Sequence, residues 1–538
     1  MLRRLRLEDN PIQYLPDELL REIFLQLICA TPSRDNRGVV VKQDVIGLLA
    51  ITLTHVCGRW REIVISDPTI WAVMDEKVFK RKDILDLYLT RSQDVLLDFV
   101  VSYEDVEHRD PGFKAAADVI QRVVFEEAHR LRSIRLDTSL HLAEYTLGDN
   151  DSDARIPFPV LESLEILVSF RDDESAEYQR GLMRWDMPRL RRVLLQQLHI
   201  EWRSFVLPST VTHLELMCCV AEYTRKGLED VLDVLEKLPE LEVLILHSSL
   251  PVETSHNTYQ SSPRTIHFPH LRKLRIEDCE LINLHKNITY SSLQSLQLDV
   301  VLTKNEIPPF CSKFFSHNLL SPGEKWTLAT LMMEPKPGVV FNLCTDPCNG
   351  CNDNIHRLYL NITEDPEDSE MTEPEIWQCI FDAAGPSLFS GVTQLIFNDG
   401  IRIYQPDFGI PGSMLASLLE ATPCLKYLEI IEPSVFDILT DFSNGTVVLP
   451  DLETLCLNMT IIDSEEEDED EDVDFNNVNI DVVCDCLAER EERGSKLLNL
   501  SVMTHEQLES LSPESHQRLR DTGANLSIRC GCSVGPKV

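Results

Sequence analysis

One pattern returns along most of this chain and restricts its fold more than any other feature: an apolar residue, two others, an apolar residue, one other, an apolar residue. It appears as Leu131-Ile134-Leu136, Leu161-Leu164-Ile166, Leu190-Val193-Leu195, Val211-Leu214-Leu216, Leu241-Leu244-Leu246 and Leu271-Leu274-Ile276. It continues as Leu293-Leu296-Leu298, Ile355-Leu358-Leu360, Val392-Leu395-Phe397, Leu425-Leu428-Ile430, Leu452-Leu455-Leu457 and Leu497-Leu500-Val502. The twelve copies recur at intervals mostly between 21 and 37 residues. Alternation within each triplet is that of a strand with one side turned inward, which disfavours an all-helical array. A unit of this length cannot bury its own apolar side, so neighbours must stack. Each inward Leu or Ile contributes roughly 1.5–3 kcal/mol when fully buried. Three per unit outweigh an uneven period.

The pattern resembles the leucine-rich repeat. The resemblance implies an α/β fold, a solenoid with parallel strands on a concave face and helices outside. A small residue often stands three positions after the last apolar one, as at Ser139, Ser169, Cys219, Ser249 and Cys279. In regular repeats that site turns the chain inward and bonds a neighbouring backbone. Helical patterns separate some triplets, at Lys226–Leu238, Glu373–Ala384 and Ser413–Ala421. On the open face, side chains alternate with the buried ones. Target-binding candidates there are Leu194, Met217, Val243, Ile245, Arg275, Tyr359 and Tyr427, beside charged residues such as Arg135, Glu165, Arg192 and Glu215. Aromatic, aliphatic and Arg side chains suit a recognition surface.

The amino-terminal part is different. Asp17–Ile28 places Leu19, Leu20, Ile23, Phe24, Leu27 and Ile28 at helical spacing, with Pro16 just ahead, where its missing N–H does no harm. A second helix is expected over Gln43–Thr54. A third carries Val56, Trp60, Ile63 and Val64, with Gly58 inside it at a cost of about 1 kcal/mol relative to Ala. The combination Leu15-Pro16-Asp17-Glu18-Leu19-Leu20, then Trp60, then Pro68-Thr69-Ile70-Trp71, resembles an F-box. The segment between the first two helices, Cys29–Lys42, is longer than in a compact F-box. Leu85 to Val101, in which a Leu-rich helix ends at Arg91-Ser92 before a strand, looks like the link found in F-box-like proteins of mushroom-forming fungi. The resemblance implies that Leu15, Pro16, Leu19, Ile23, Val56, Trp60 and Trp71 dock on a Skp-type adaptor, itself held by a cullin. The expected domains are residues 1–75 (docking), 76–128 (linker) and 129–538 (solenoid).

Three interruptions break the array. Val301–Asn354 leaves room for an unrecognised unit or a projecting loop; Asp149–Asp153 is a polar turn; Ser464–Asp474 is an acidic loop expected to be disordered, since eight adjacent like charges repel. The net charge of -39 makes nucleic acid and anionic membranes poor partners. With no signal peptide and no long apolar stretch, the chain is expected in the cytosol or nucleus, its sixteen cysteines reduced. Cys344, Cys348 and Cys351, followed by His356, form the one metal-like cluster; their spacing is not a standard paired knuckle, and thiols without metal are expected. Cys484, Cys486, Cys530 and Cys532 are weaker still. No nucleophile elbow, phosphate loop or His-Glu-x-x-His motif is present, so neither catalysis nor a cofactor is expected. The functional expectation is the substrate-recognition subunit of an SCF-type ubiquitin ligase with an unknown protein target. The alternative is a repeat scaffold whose F-box-like helices only cap the solenoid.

Overall fold

The computed structural model describes residues 11–28, 48–79, 81–103, 111–139, 156–169, 185–198, 200–219, 227–250, 264–277, 284, 287–302, 305–315, 325–333, 338–345, 357–364, 373–398, 412–431, 449, 451–459, 487–488, 491–492, 497–504, 517–518, 520–521 and 524–530. The fold is mixed α/β, dominated by parallel strands, and the chain divides into two compact units. One comprises Met1–Leu271 with Asn283–Ser292; the other comprises Arg272–Ile282 with Leu293–Val538.

The first unit opens with helices α1 (Asp17–Ile28), α2 (Leu49–Thr54) and α3 (Gly58–Ser66), followed by a tight turn at Pro68–Trp71. After strand β1 (Val73–Met74) come α4 (Glu76–Phe79) and α5 (Lys82–Ser92), then β2 (Leu97–Tyr103), α6 (Pro111–Glu126) and β3 (Leu131–Ser139). Strands β4 (Ser163–Ser169), β5 (Arg192–Gln196), β6 (His213–Met217) and β7 (Val243–His247) follow, with α7 (Gly227–Leu235) between the last two. Each strand from β1 to β7 pairs in parallel with the next.

The triplets explain this order. Register places Ile134, Leu164, Val193, Leu214 and Leu244 side by side, and Leu136, Ile166, Leu195, Leu216 and Leu246 side by side. All ten are buried, as are the lead residues Leu131, Leu161, Leu190, Val211 and Leu241. Ahead of β5, β6 and β7, two successive N–H groups donate to one carbonyl in the lead-in to the preceding strand. Arg191 and Arg192 donate to Glu162 O, Thr212 and His213 to Arg191 O, and Glu242 and Val243 to Thr212 O, at 2.8–3.0 Å.

The chain leaves β5, β6 and β7 through Gln197, Cys218 and Ser248, all left-handed, with φ of 57, 50 and 44°. That conformation is uncommon for residues other than Gly. Each left-handed residue throws the next one inward, so Leu198, Cys219 and Ser249 are buried. There Ser249 Oγ accepts from Cys219 N at 3.1 Å and donates to His247 O at 2.7 Å, while Cys219 Sγ donates to Leu195 O at 3.3 Å. Burial pushes the Cys219 thiol up to about 11. Arg130 ties the helices to the strands: it pairs with Glu127, donates to Ser92 Oγ at 3.0 Å and donates to Gln93 O at the end of α5.

The second unit contains β8 (Lys273–Glu277), β9 (Ser295–Leu302), α8 (Ile307–Phe315), β10 (Leu328–Met333), β11 (Gly338–Cys344) and β12 (Arg357–Glu364). It continues with α9 (Glu373–Ala384), β13 (Gln394–Asn398), α10 (Gly412–Ala421), β14 (Tyr427–Ile431), β15 (Thr454–Met459), β16 (Asn499–Thr504) and β17 (Asn525–Cys530). Gly385, left-handed at φ 68°, ends α9, its N–H returning to Phe381 O at 3.0 Å. Strands β8, β9 and β12 pair in parallel, as do β10 and β13 through β17.

Between these runs, β11 is antiparallel to both β10 and β12. The long interruption at Val301–Asn354 therefore holds a helix and a strand pair. Strand β10 carries a further triplet, Trp326-Ala329-Leu331, in which Ala329 pairs with Leu395 and Leu331 with Phe397. Asp149–Asp153, Cys29–Lys42, Ser464–Asp474, Cys484, Cys486 and Cys532 lie outside the described residues.

Replacing Ser249 with Ala removes the acceptor of a buried N–H. Urea unfolding is expected to show a loss of about 1–3 kcal/mol. Gln197→Val, which places a β-branched side chain at a left-handed position, is expected to cost at least ~1 kcal/mol, and Gln197→Gly less.

Candidate functional site

Helix α1 carries Asp17 and Glu18 in its first turn, where carboxylates complement the helix dipole. The Pro16 carbonyl accepts its first helical bond, from Leu20 N at 3.1 Å. The apolar residues split into two rows. Leu20, Phe24 and Ile28 face the protein and are buried. Leu19, Ile23 and Leu27, each four residues from the next, are 51%, 42% and 50% exposed. Tyr14 and Ile12, just upstream, are exposed as well. Sequence reasoning singled out Leu19 and Ile23; it grouped Leu27 with the helix's apolar side without assigning it a contact role.

Helix α3 braces α1. Phe24 and Trp60 meet edge to face with ring centroids 4.8 Å apart. Arg59 bonds Asp17 at 2.6 Å and donates to Leu15 O at 2.5 Å. Arg21 reaches Asp67 at 2.9 Å, and Asp67 in turn accepts from Thr69 N and Thr69 Oγ1 at 2.9 and 2.6 Å, capping the turn that leads to Trp71. The exposed row is thus held on a braced helix.

The seven candidates of this region divide. Leu19, Ile23, Val56 and Pro16 are exposed; Leu15 and Trp60 are half-buried. Trp71 is a correction. It is 2% exposed, donates its indole N–H to Val64 O at 2.8 Å and packs edge to face on Tyr88 at 5.0 Å. A large ring with its one polar atom satisfied internally is a core residue, and it offers nothing to a partner. Gly58 is a second correction. It is the first residue of α3, after the cap at Cys57, where helix propensity matters little. Val56 lies ahead of the helix, in the turn after α2, and is 55% exposed. Of the second helix, Leu49–Thr54 is described; residues 43–47 lie outside the described residues.

The strand candidates fall in both units. Leu194 and Ile245 are buried, because strands spaced ~4.8 Å apart let neighbouring side chains cover one another. Glu165, Leu194, Glu215 and Ile245 form one row across β4 to β7. Met217 and Val243 are half-buried. In the second unit, Arg275 donates to Glu277 at 2.6 Å, and Gln297 donates to the same oxygen at 2.9 Å. Tyr427 donates to Glu429 at 2.7 Å, and burial, then that carboxylate, pushes its phenol well above the usual range. Tyr359 is in register with Gln297 and Asn342. Cys344 is buried in β11, whereas Cys348, Cys351 and His356 lie outside the described residues. Among the described residues no group of three His, Cys, Asp or Glu could hold a metal ion, and no helix is long and apolar enough to cross a membrane.

Comparison with known proteins gave no match to a family model and no match to a curated protein.

Trp71→Ala is expected to cost about 3–5 kcal/mol in denaturant unfolding. Leu19→Asp and Ile23→Asp, on exposed positions, are expected to stay within about 0.5 kcal/mol of the parent.

Proposed function

We propose that the chain is the substrate-recognition subunit of an SCF-type cullin ubiquitin ligase. In this reading helices α1 to α3 are an F-box-like docking module for a Skp-type adaptor, and the strand arrays are divergent leucine-rich repeats that hold a protein target. One observation carries it: Leu19, Ile23 and Leu27 form an aliphatic row on the outer side of a helix whose inner side is already buried. Each of the three is about half exposed, so covering it is worth roughly 1 kcal/mol. A lone exposed Leu needs no explanation; three in line on a braced helix suit a partner. The module performs no chemistry in this scheme. It holds a target lysine near a ubiquitin-charged enzyme brought by other subunits, so the rate gain is one of effective concentration.

A second reading, a scaffold whose helices only cap the repeats, draws on Trp71, Tyr88 and Arg130, which knit α3, α5 and the first strands together. The two readings differ in what the outer row of α1 does. Co-purification of the tagged chain with a Skp-type adaptor is expected to succeed for the parent and to fail for the Leu19→Asp/Ile23→Asp double variant with its unfolding midpoint unchanged. An adaptor that ignores the parent chain, or binds the double variant equally well, leaves the scaffold.

A further inference from the structure

We infer that the lead-in to β5 in the first unit is a docking point for an acidic peptide segment, its contacts made by Arg189, Arg191 and Arg192. The inference stands apart from adaptor docking and holds whichever way that question is decided.

In a chain of net charge -39, arginines are readily claimed by carboxylates. Arg21 holds Asp67, Arg59 holds Asp17, Arg132 holds Asp98, Arg264 holds Asp233 and Arg275 holds Glu277. Among the described residues Arg61, Arg203 and Arg272 are also exposed and unpaired, but Arg189, Arg191 and Arg192 depart from that pattern within four residues of one another. All three are exposed, and among the described residues their guanidinium groups make neither an ion pair nor a hydrogen bond. Glu162 and Asp186 are exposed nearby in register and in sequence, yet neither closes a pair with them.

The backbone beneath this cluster is fixed. Leu190 and Val193 are buried on either side of Arg191 and Arg192, and both arginine N–H groups are anchored on Glu162 O at 2.9 and 3.0 Å. Arg192 is in register with Ser163 and His213, and Thr210 Oγ1, ahead of β6, donates to Leu190 O at 2.8 Å. Three cationic forks therefore project from an ordered rim flanked by hydroxyls and an imidazole.

Spacing selects the kind of anion. Successive residues of an extended chain diverge, so Arg191 and Arg192 spread their charges instead of converging on one point. That suits several separated carboxylates along a segment better than a single phosphate. Planar guanidinium forks match carboxylates bidentately. At ~0.15 M salt the screening length is about 8 Å, so distant acidic residues of this chain do little to repel such a segment.

The test uses the full-length protein and a fluorescent peptide of repeated Glu-Gly, read by anisotropy at ~0.15 M salt. The parent is expected to bind it and to ignore the Gln-Gly counterpart. Arg191→Glu/Arg192→Glu is expected to weaken binding roughly tenfold or more. Arg203→Glu, a single reversal carrying half that charge change at another exposed site, is expected to leave it within about twofold. If the double reversal disturbs the far-ultraviolet circular dichroism, Arg191→Gln/Arg192→Gln replaces it. The proposal is overturned by equal binding of the Gln-Gly peptide, by unchanged affinity in the double variant, or by an equal loss in Arg203→Glu. A Gln-Gly peptide with a single phosphoserine that binds more tightly than Glu-Gly overturns the carboxylate assignment.

Discussion

Everything described above depends on aliphatic side chains stacking in register across parallel strands. Leu164, Val193, Leu214 and Leu244 each lie in register with the next because the strands carry the triplet at one height. The height is set locally. Paired N–H groups ahead of β5, β6 and β7 share one carbonyl in the lead-in to the preceding strand, as do those of Thr393 with Gln394 and Lys426 with Tyr427 in the second unit. A slip of one residue would turn the whole apolar set to the other face. The hydrogen bonds fix the step, and the burial rewards it.

That stacking decides what is left for recognition. Strands this close allow the alternate face little solvent, and aliphatic members such as Leu194 and Ile245 are nearly covered by their neighbours. Exposed contact groups are found instead at the margins. The outer row of α1 is apolar; the lead-in to β5 is cationic. The proposed adaptor contact and the proposed acidic-segment contact thus use different chemistry at separate places in the first unit, which lets one be removed without the other.

The strand positions were legible because the triplets use Leu, Ile and Val, whose burial dominates local preference. Trp326-Ala329-Leu331 escaped for the same reason: its middle residue is an Ala, and its first is a ring seldom met in that position. The antiparallel β11 had no signal of its own, since Val339, Val340 and Phe341 are buried in succession and an apolar run reads the same whichever way a strand runs. At the amino end, spacing identified α1 but could not say which apolar row of a two-sided helix faces inward. Trp71 shows the limit most clearly. Its position beside Pro68 suggested a contact residue, but burial of a large aromatic is decided by what packs against it, here Tyr88 and the Val64 carbonyl. Gly58 was misplaced because a helix start is set by the cap at Cys57, not by apolar spacing.

The reversed strand in the second unit has a kinetic consequence. In the first unit strands β1 to β7 each meet their neighbour along the chain, so order can spread from any starting point. In the second, Ser295 must find Arg357 and Leu328 must find Gln394, separations of 62 and 66 residues. The β10–β11 and β11–β12 antiparallel pairs are local there, whereas long-range pairing slows folding. They form a seam that β9 must join on one side and β13 on the other, so those two closures wait on the antiparallel strands while β13 to β17 add in chain order.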